Sequence, residues 1–259
     1  MTSRLSLLPV ALTALLALSA CSSPQAPAPA ETAAPTAPAT TEAAPAAAPT
    51  TTTEAAPAAA AAATPPSGPA PVAGTDYVEI AGGQPYEPGN GKIEVVEVFG
   101  YTCPHCATFD PLIQAWKTKQ PADVKFVALA APFGGYWEPY AKAFYTAQAM
   151  GVLDQSHAAM FNAIHVERSM PVQPLPTNDQ IAGFYAQYGA DPKQFASTMA
   201  SFAIAAKMKR AGQFITRSGV DSTPNLVVNG KYKVIGKNFE DTLRITDHLV
   251  AQERAKAGG

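Results

Sequence analysis

The run Lys92-Ile93-Glu94-Val95-Val96-Glu97-Val98-Phe99-Gly100-Tyr101-Thr102-Cys103-Pro104-His105-Cys106 carries the strongest structural signal in this chain of 259 residues. Its first eight residues are β-branched and apolar enough for a buried strand, and Gly100-Tyr101-Thr102 reads as the turn that follows. A helix is expected to start at the cysteines. Thr102 suits the N-cap, and Pro104 falls in the first turn, where a missing N–H costs nothing. Phe109, Ile113 and Trp116 then recur on one face down to about Lys119. This places Cys103 at a helix N-terminus, where free backbone N–H groups and the positive end of the helix dipole favour a thiolate. Cys106, one turn on, is the natural resolving thiol.

Only three cysteines exist, and the third, Cys21, ends the run Leu18-Ser19-Ala20-Cys21. Arg4 precedes an apolar stretch, residues 5–20, that is too short and too rich in small residues for a comfortable membrane span. Residues 1–20 read as an export signal, and the run that closes them resembles the lipobox of bacterial lipoproteins. In that reading the signal is cleaved before Cys21, which is acylated and anchors the protein to a membrane. Two thiols remain, both in one C-x-x-C unit, so no other thiol can form a structural bridge. Half a zinc site would need two more ligands at suitable spacing, and the four His residues are scattered, so no metal site is expected.

From residue 22 to 73 the chain is almost wholly Ala, Pro and Thr with three Glu and no aromatic residue, which offers too little apolar bulk to offset the entropy of ordering. Residues 21–73 are therefore expected to be a lipidated Cys and a disordered tether. Residues 74–259 hold all nine Tyr, all eleven Phe and both Trp, enough for one domain of ordinary size. Charge excludes an electrostatic case for nucleic acid, since that domain carries 17 residues of each sign.

Between residues 137 and 219 apolar side chains recur at helical spacing, for example Tyr140, Phe144 and Ala147, then Phe195, Met199 and Phe202. Gly151, Gly189 and Gly219 mark helix ends, so a helical subdomain is expected here. Strands at residues 225–228 and 232–235, joined by Asn229-Gly230, read as a hairpin, followed by a last helix over residues 239–255. His157, His165 and His248 fall on expected helices away from the cysteines and read as packing or surface residues. Phe133, Tyr136 and Trp137 read as core aromatics or as a border to the site.

Three stretches then stand together: residues 96–106 of the opening run, Pro132-Phe133-Gly134-Gly135-Tyr136-Trp137, and Ser222-Thr223-Pro224-Asn225-Leu226-Val227-Val228-Asn229-Gly230-Lys231-Tyr232. On these the chain resembles the DsbA-type disulfide-bond-forming oxidases of the bacterial periplasm, within the thioredoxin superfamily, over most of residues 74–259. The resemblance implies an α/β, thioredoxin-like fold with an inserted helical subdomain, in the order β-α-β, helices, β-β-α. It implies an enzyme that donates the Cys103–Cys106 disulfide to reduced, unfolded exported proteins, needs no cofactor, and is reoxidised by a quinone-linked inner-membrane thiol oxidase of the DsbB type. A monomer is expected.

The same resemblance assigns roles to single residues. His105, with Pro104 between the cysteines, leans the pair towards oxidation, because a donor or partial positive charge beside Cys103 stabilises the thiolate and hence the reduced enzyme. The family is itself a standard instance of a depressed cysteine pKa and an oxidising potential. Thr223-Pro224 matches the loop whose cis-proline sits against the disulfide and presents backbone groups to an extended client; the alternative is an ordinary trans turn. Glu97 matches a buried acid that, with water, takes and returns protons as Cys106 changes state; the alternative is an acid facing solvent at a strand end. In familiar members a Lys on the neighbouring strand faces this acid, and Lys125 is the candidate here, although it lies near the start of its strand. Rival readings with the same cysteines are a disulfide isomerase or reductase, or a non-catalytic peptide-binding or chaperone module. Periplasmic isomerases of the superfamily usually dimerise through a folded amino-terminal domain, which an Ala/Pro/Thr tether cannot supply.

Overall fold

The computed structural model describes residues 65–89 and 91–257. The expected signal at residues 1–20, Cys21 and the tether as far as residue 64 lie outside the described residues. Five strands form one mixed sheet in the order β1-β5-β4-β2-β3: β1 Tyr77–Glu79, β2 Ile93–Phe99, β3 Val124–Ala130, β4 Asn225–Val228 and β5 Tyr232–Val234. β2 pairs in parallel with β3 and antiparallel with β4, so it is central, and all seven of its residues are buried. That is why it reads as a continuous apolar run rather than an alternating one.

Helix α1, Pro104–Lys117, connects β2 to β3 and packs with α7, Phe239–Ala257, on one face of the sheet. There Phe109, Ile113, Trp116, Ile245 and Leu249 meet Ile93, Val95, Leu226 and Val228. On the other face lies the helical insertion: a 3-10 turn at Gly135–Trp137, then α2 Glu138–Ala149, α3 Leu153–His165, α4 Asn178–Ala186, α5 Pro192–Met199 and α6 Phe202–Ser218. Its core of Phe144, Met160, Phe161, Tyr185, Phe195 and Phe214 closes on Val96, Val98, Val127 and Leu129. Local chemistry sets the helix ends. Thr177 and Gln180 form a capping box on α4, Asp191 and Ser201 cap α5 and α6, and Gly219 ends α6 at φ 61°, a left-handed conformation that costs glycine nothing. Among the described residues no helix is long and apolar enough to cross a membrane.

The hairpin forms where expected. Asn229 and Gly230 both take positive φ, 50° and 65°, and the Lys231 N–H donates to the Val228 carbonyl at 2.9 Å. Three details differ from the expectation. The N-cap of α1 is Cys103 rather than Thr102: Cys103 is extended at φ −88°, ψ 117°, and its sulfur accepts from the Cys106 N–H. The helix also runs through Pro111, whose missing N–H leaves one turn unbonded. The short edge strand β1 was not foreseen, because three residues carry no periodicity and owe their conformation to pairing with β5. Residues 65–73, part of the expected tether, lie along α7: the Ser67 carbonyl meets His248 Nε2 at 3.2 Å and the Pro69 carbonyl accepts from Arg244.

Candidate active site

The end of β2 and the start of α1 bring the two cysteines together at the edge of the sheet. Both are free thiols. The Cys106 N–H donates to Cys103 Sγ at 3.4 Å, and the Cys103 thiol in turn donates to the Thr223 carbonyl at 3.5 Å. Their environments push them apart. Cys103 keeps 7% of its surface and Cys106 none. The hydrogen bond from the Cys106 thiol, with Thr223 and the backbone N–H groups of Cys106 and His105, outweighs burial and lowers the Cys103 pKa to about 5. Burial, followed by the bond and charge of Cys103, pushes Cys106 far upward. The surroundings thus favour the thiolate at Cys103 and the protonated thiol at Cys106.

The Thr223–Pro224 peptide is cis, and it sets the Thr223 carbonyl against Cys103 just before β4 begins. On the other side, the Trp137 ring lies on Gly100: a Cβ there would stand 2.0 Å from Trp137 Cζ3, so only glycine fits. Phe133 and Tyr136 pack on Trp137 at 5.2 and 5.9 Å between ring centres and remain substantially exposed. The aromatic trio thus borders the turn that leads into Cys103.

Glu97 is 3% exposed and sits in the middle of the sheet, paired with Ala128 on β3 and Leu226 on β4. Burial, then the charges of Asp110 and Cys103, raises its pKa to about 8. Lys125 does not reach it. In the parallel register Lys125 lies opposite Glu94, and its ammonium pairs with Glu87 at 2.6 Å, so the residue beside Glu97 is the small Ala128. A lysine three positions earlier on β3 cannot swing inward past its own strand.

A family model described as thioredoxin matches residues 89–247. The chain is 44% identical to the thiol:disulfide interchange protein DsbA of Pseudomonas aeruginosa over 188 residues, covering 71% of this chain and 87% of that one. It is 40% identical to DsbA of Azotobacter vinelandii, with 70% and 84% covered. Among solved structures, the oxidoreductase DsbA of Xylella fastidiosa superposes with a TM-score of 0.70 at 50% identity, covering 71% of this chain and 98% of that one. The chain belongs to the DsbA family of thiol:disulfide interchange proteins. It has the thioredoxin-like fold and the enzymatic activity of that family, thiol–disulfide exchange.

Within this DsbA site, His105 is exposed, and what bears on Cys103 is its backbone N–H; no side-chain hydrogen bond of His105 is found among the described residues. Two other histidines that read as packing residues turn out to hold the catalytic turn. His165 Nε2 meets the Tyr101 carbonyl at 2.7 Å. His157 Nδ1 meets the Tyr101 hydroxyl at 2.8 Å, while its Nε2 stands 3.4 Å from Asp110 Oδ1. A signal was present: His157, Phe161 and His165 are four apart and share one face of α3, which packs on Phe99 and Tyr101.

Proposed function

We propose that this DsbA-family protein is an oxidase of exported proteins: the Cys103–Cys106 disulfide is donated to reduced, unfolded clients in the periplasm. The observation that carries this reading is the hydrogen bond that Cys103 Sγ accepts from the Cys106 N–H at the start of α1, which favours the thiolate and so makes the disulfide form the less stable, oxidising partner. A client thiolate attacks Cys103 Sγ, the Cys103–Cys106 bond breaks, and Cys106 leaves as a thiolate that takes a proton from Glu97. The second client thiol then releases Cys103 as a thiolate. Across the two steps the client loses two protons and two electrons; Cys106 keeps one proton and one passes to solvent. Thr223 and Pro224 line the client's backbone, and a quinone-linked inner-membrane thiol oxidase of the DsbB type restores the disulfide.

The sequence motif at residues 18–21 supports a lipid anchor on Cys21, and the composition of residues 22–64 supports a tether that frees a monomeric domain to meet both clients and reoxidant near a membrane surface. In a test with the full chain and its Cys21→Ala variant, both should oxidise a dithiol peptide at the same rate, while only the full chain partitions into the membrane fraction. Loss of peptide oxidation in Cys21→Ala, or membrane partition that survives it, contradicts the assignment.

A further inference from the structure

Helices α1 and α7 do not close on each other along their whole length. Beside the far half of α1 a cavity of about 550 Å³ opens between them, within the range of small-molecule pockets. Leu112 and Trp116 of α1 and Leu243 and Val250 of α7 give it apolar walls, and Pro65 and Pro66 form a third side. Those prolines are held there by the residues that follow them, through the Ser67 carbonyl at His248 Nε2 and the Pro69 carbonyl at Arg244. At about 1.5 Å per residue, Trp116 lies roughly 18 Å along the helix from Pro104, so the cavity is remote from the cysteines.

One acid stands in this apolar setting. Asp247 of α7 lines the cavity, and its Oδ1 accepts from the Trp116 indole N–H at 2.7 Å and from Gln120 at 3.5 Å. Its Oδ2 takes no hydrogen bond among the described residues and keeps accessible surface. The two cations of the lining are placed otherwise: Arg254 is paired with Asp123, and Lys119 is an exposed side chain. Burial raises the Asp247 pKa although both donors and the charge of His248 pull it down, which marks a carboxylate whose lost hydration is only partly replaced.

We propose that this cavity binds a small organic amine, with its ammonium on Asp247 Oδ2 and its apolar body between Leu112, Leu243 and Val250. An ammonium supplies both things that a half-satisfied carboxylate between apolar walls lacks, a hydrogen bond and an opposite charge. A neutral apolar molecule would fill the walls but leave Oδ2 without a partner, and an anion would be repelled by Asp247. The site uses no residue of the thiol exchange, so an amine bound there stabilises the fold without competing with clients.

The test is an NMR titration of the full chain, with Cys21 replaced by Ala, that reads the indole N–H signals of the chain's two tryptophans, Trp116 and Trp137. The probe is 2-phenylethylamine, which is charged at pH 7, and 2-phenylethanol is its neutral match in shape. The amine is expected to move the Trp116 signal saturably at millimolar concentration and to bind about tenfold more tightly than the alcohol, the scale of one hydrogen bond to a charged group. The Trp137 signal, beside Gly100, should stay in place. Asp247→Asn should remove the advantage of the amine and leave the weaker binding of the alcohol unchanged. If that variant does not fold, the comparison of amine with alcohol on the chain that keeps Asp247 decides alone. No saturable shift at Trp116, equal affinity for the two molecules, or an amine advantage that survives Asp247→Asn overturns the site.

Discussion

Cys103→Ser should abolish disulfide transfer, whereas Cys106→Ser should leave a protein that still captures client sulfur but cannot let it go. The asymmetry follows from the helix end. Cys103 occupies the N-cap with a thiolate-stabilising hydrogen bond from the Cys106 N–H, and it is the thiol that retains surface; Cys106 has none. Without Cys106 a mixed disulfide between Cys103 and a client has no internal thiol to resolve it. Non-reducing gels of Cys106→Ser incubated with a client whose single cysteine is activated as a mixed disulfide should show a covalent adduct, formed as Cys103 displaces the small thiolate, and those of Cys103→Ser none. Adducts through Cys106 in the Cys103→Ser protein would reverse the assignment of roles.

The reduced protein should be more stable than the oxidised one at pH 7, the inverse of the usual order for a structural disulfide. A bridge that closes a loop with only two residues between its ends restricts the unfolded chain little, so the ordinary gain is at the low end. Against it stands a Cys103 pKa lowered from 9.0 to about 5. A group whose pKa is depressed on folding contributes stability that is complete above its unfolded pKa and disappears as pH falls through its folded one. At pH 7 that contribution is about 2 kcal/mol after a discount for the thiolate's contact with solvent, and it belongs to the reduced form alone. Denaturant melts of both forms should therefore show the higher midpoint for the reduced protein at pH 7, with the gap narrowing as pH drops towards 5. A higher midpoint for the oxidised protein at pH 7 would count against thiolate stabilisation.

Much of this site is legible in the sequence because its chemistry is local. The strand, the turn and the C-x-x-C helix are consecutive, so the β2 run and the spacing of Phe109, Ile113 and Trp116 place Cys103 at a helix end without any long-range information. The hairpin at Asn229-Gly230 and the Gly219 helix end are legible for the same reason, since each needs a backbone conformation that few residues supply. What escaped depends on contacts between distant segments. The N-cap passed from Thr102 to Cys103 because the sulfur itself accepts the cap hydrogen bond. Lys125 looked like a partner for Glu97 until the β2–β3 register set it opposite Glu94, a matter of three residues that no single sequence reveals. His157 lies 56 residues from Tyr101, and only the docking of α3 on the catalytic turn brings them together.

The central claim is that the protein holds Cys103 as a thiolate and thereby makes its disulfide oxidising, and the reduction potential of the Cys103–Cys106 pair tests it most directly. Equilibration of the Cys21→Ala chain with glutathione buffers at pH 7 should leave the pair largely reduced at ratios that keep ordinary dithiols oxidised. Its potential should lie well above the roughly −270 mV of a reducing thioredoxin, at about 30 mV for each 1.4 kcal/mol of thiolate stabilisation. A potential at or below that of a reducing thioredoxin would contradict the account.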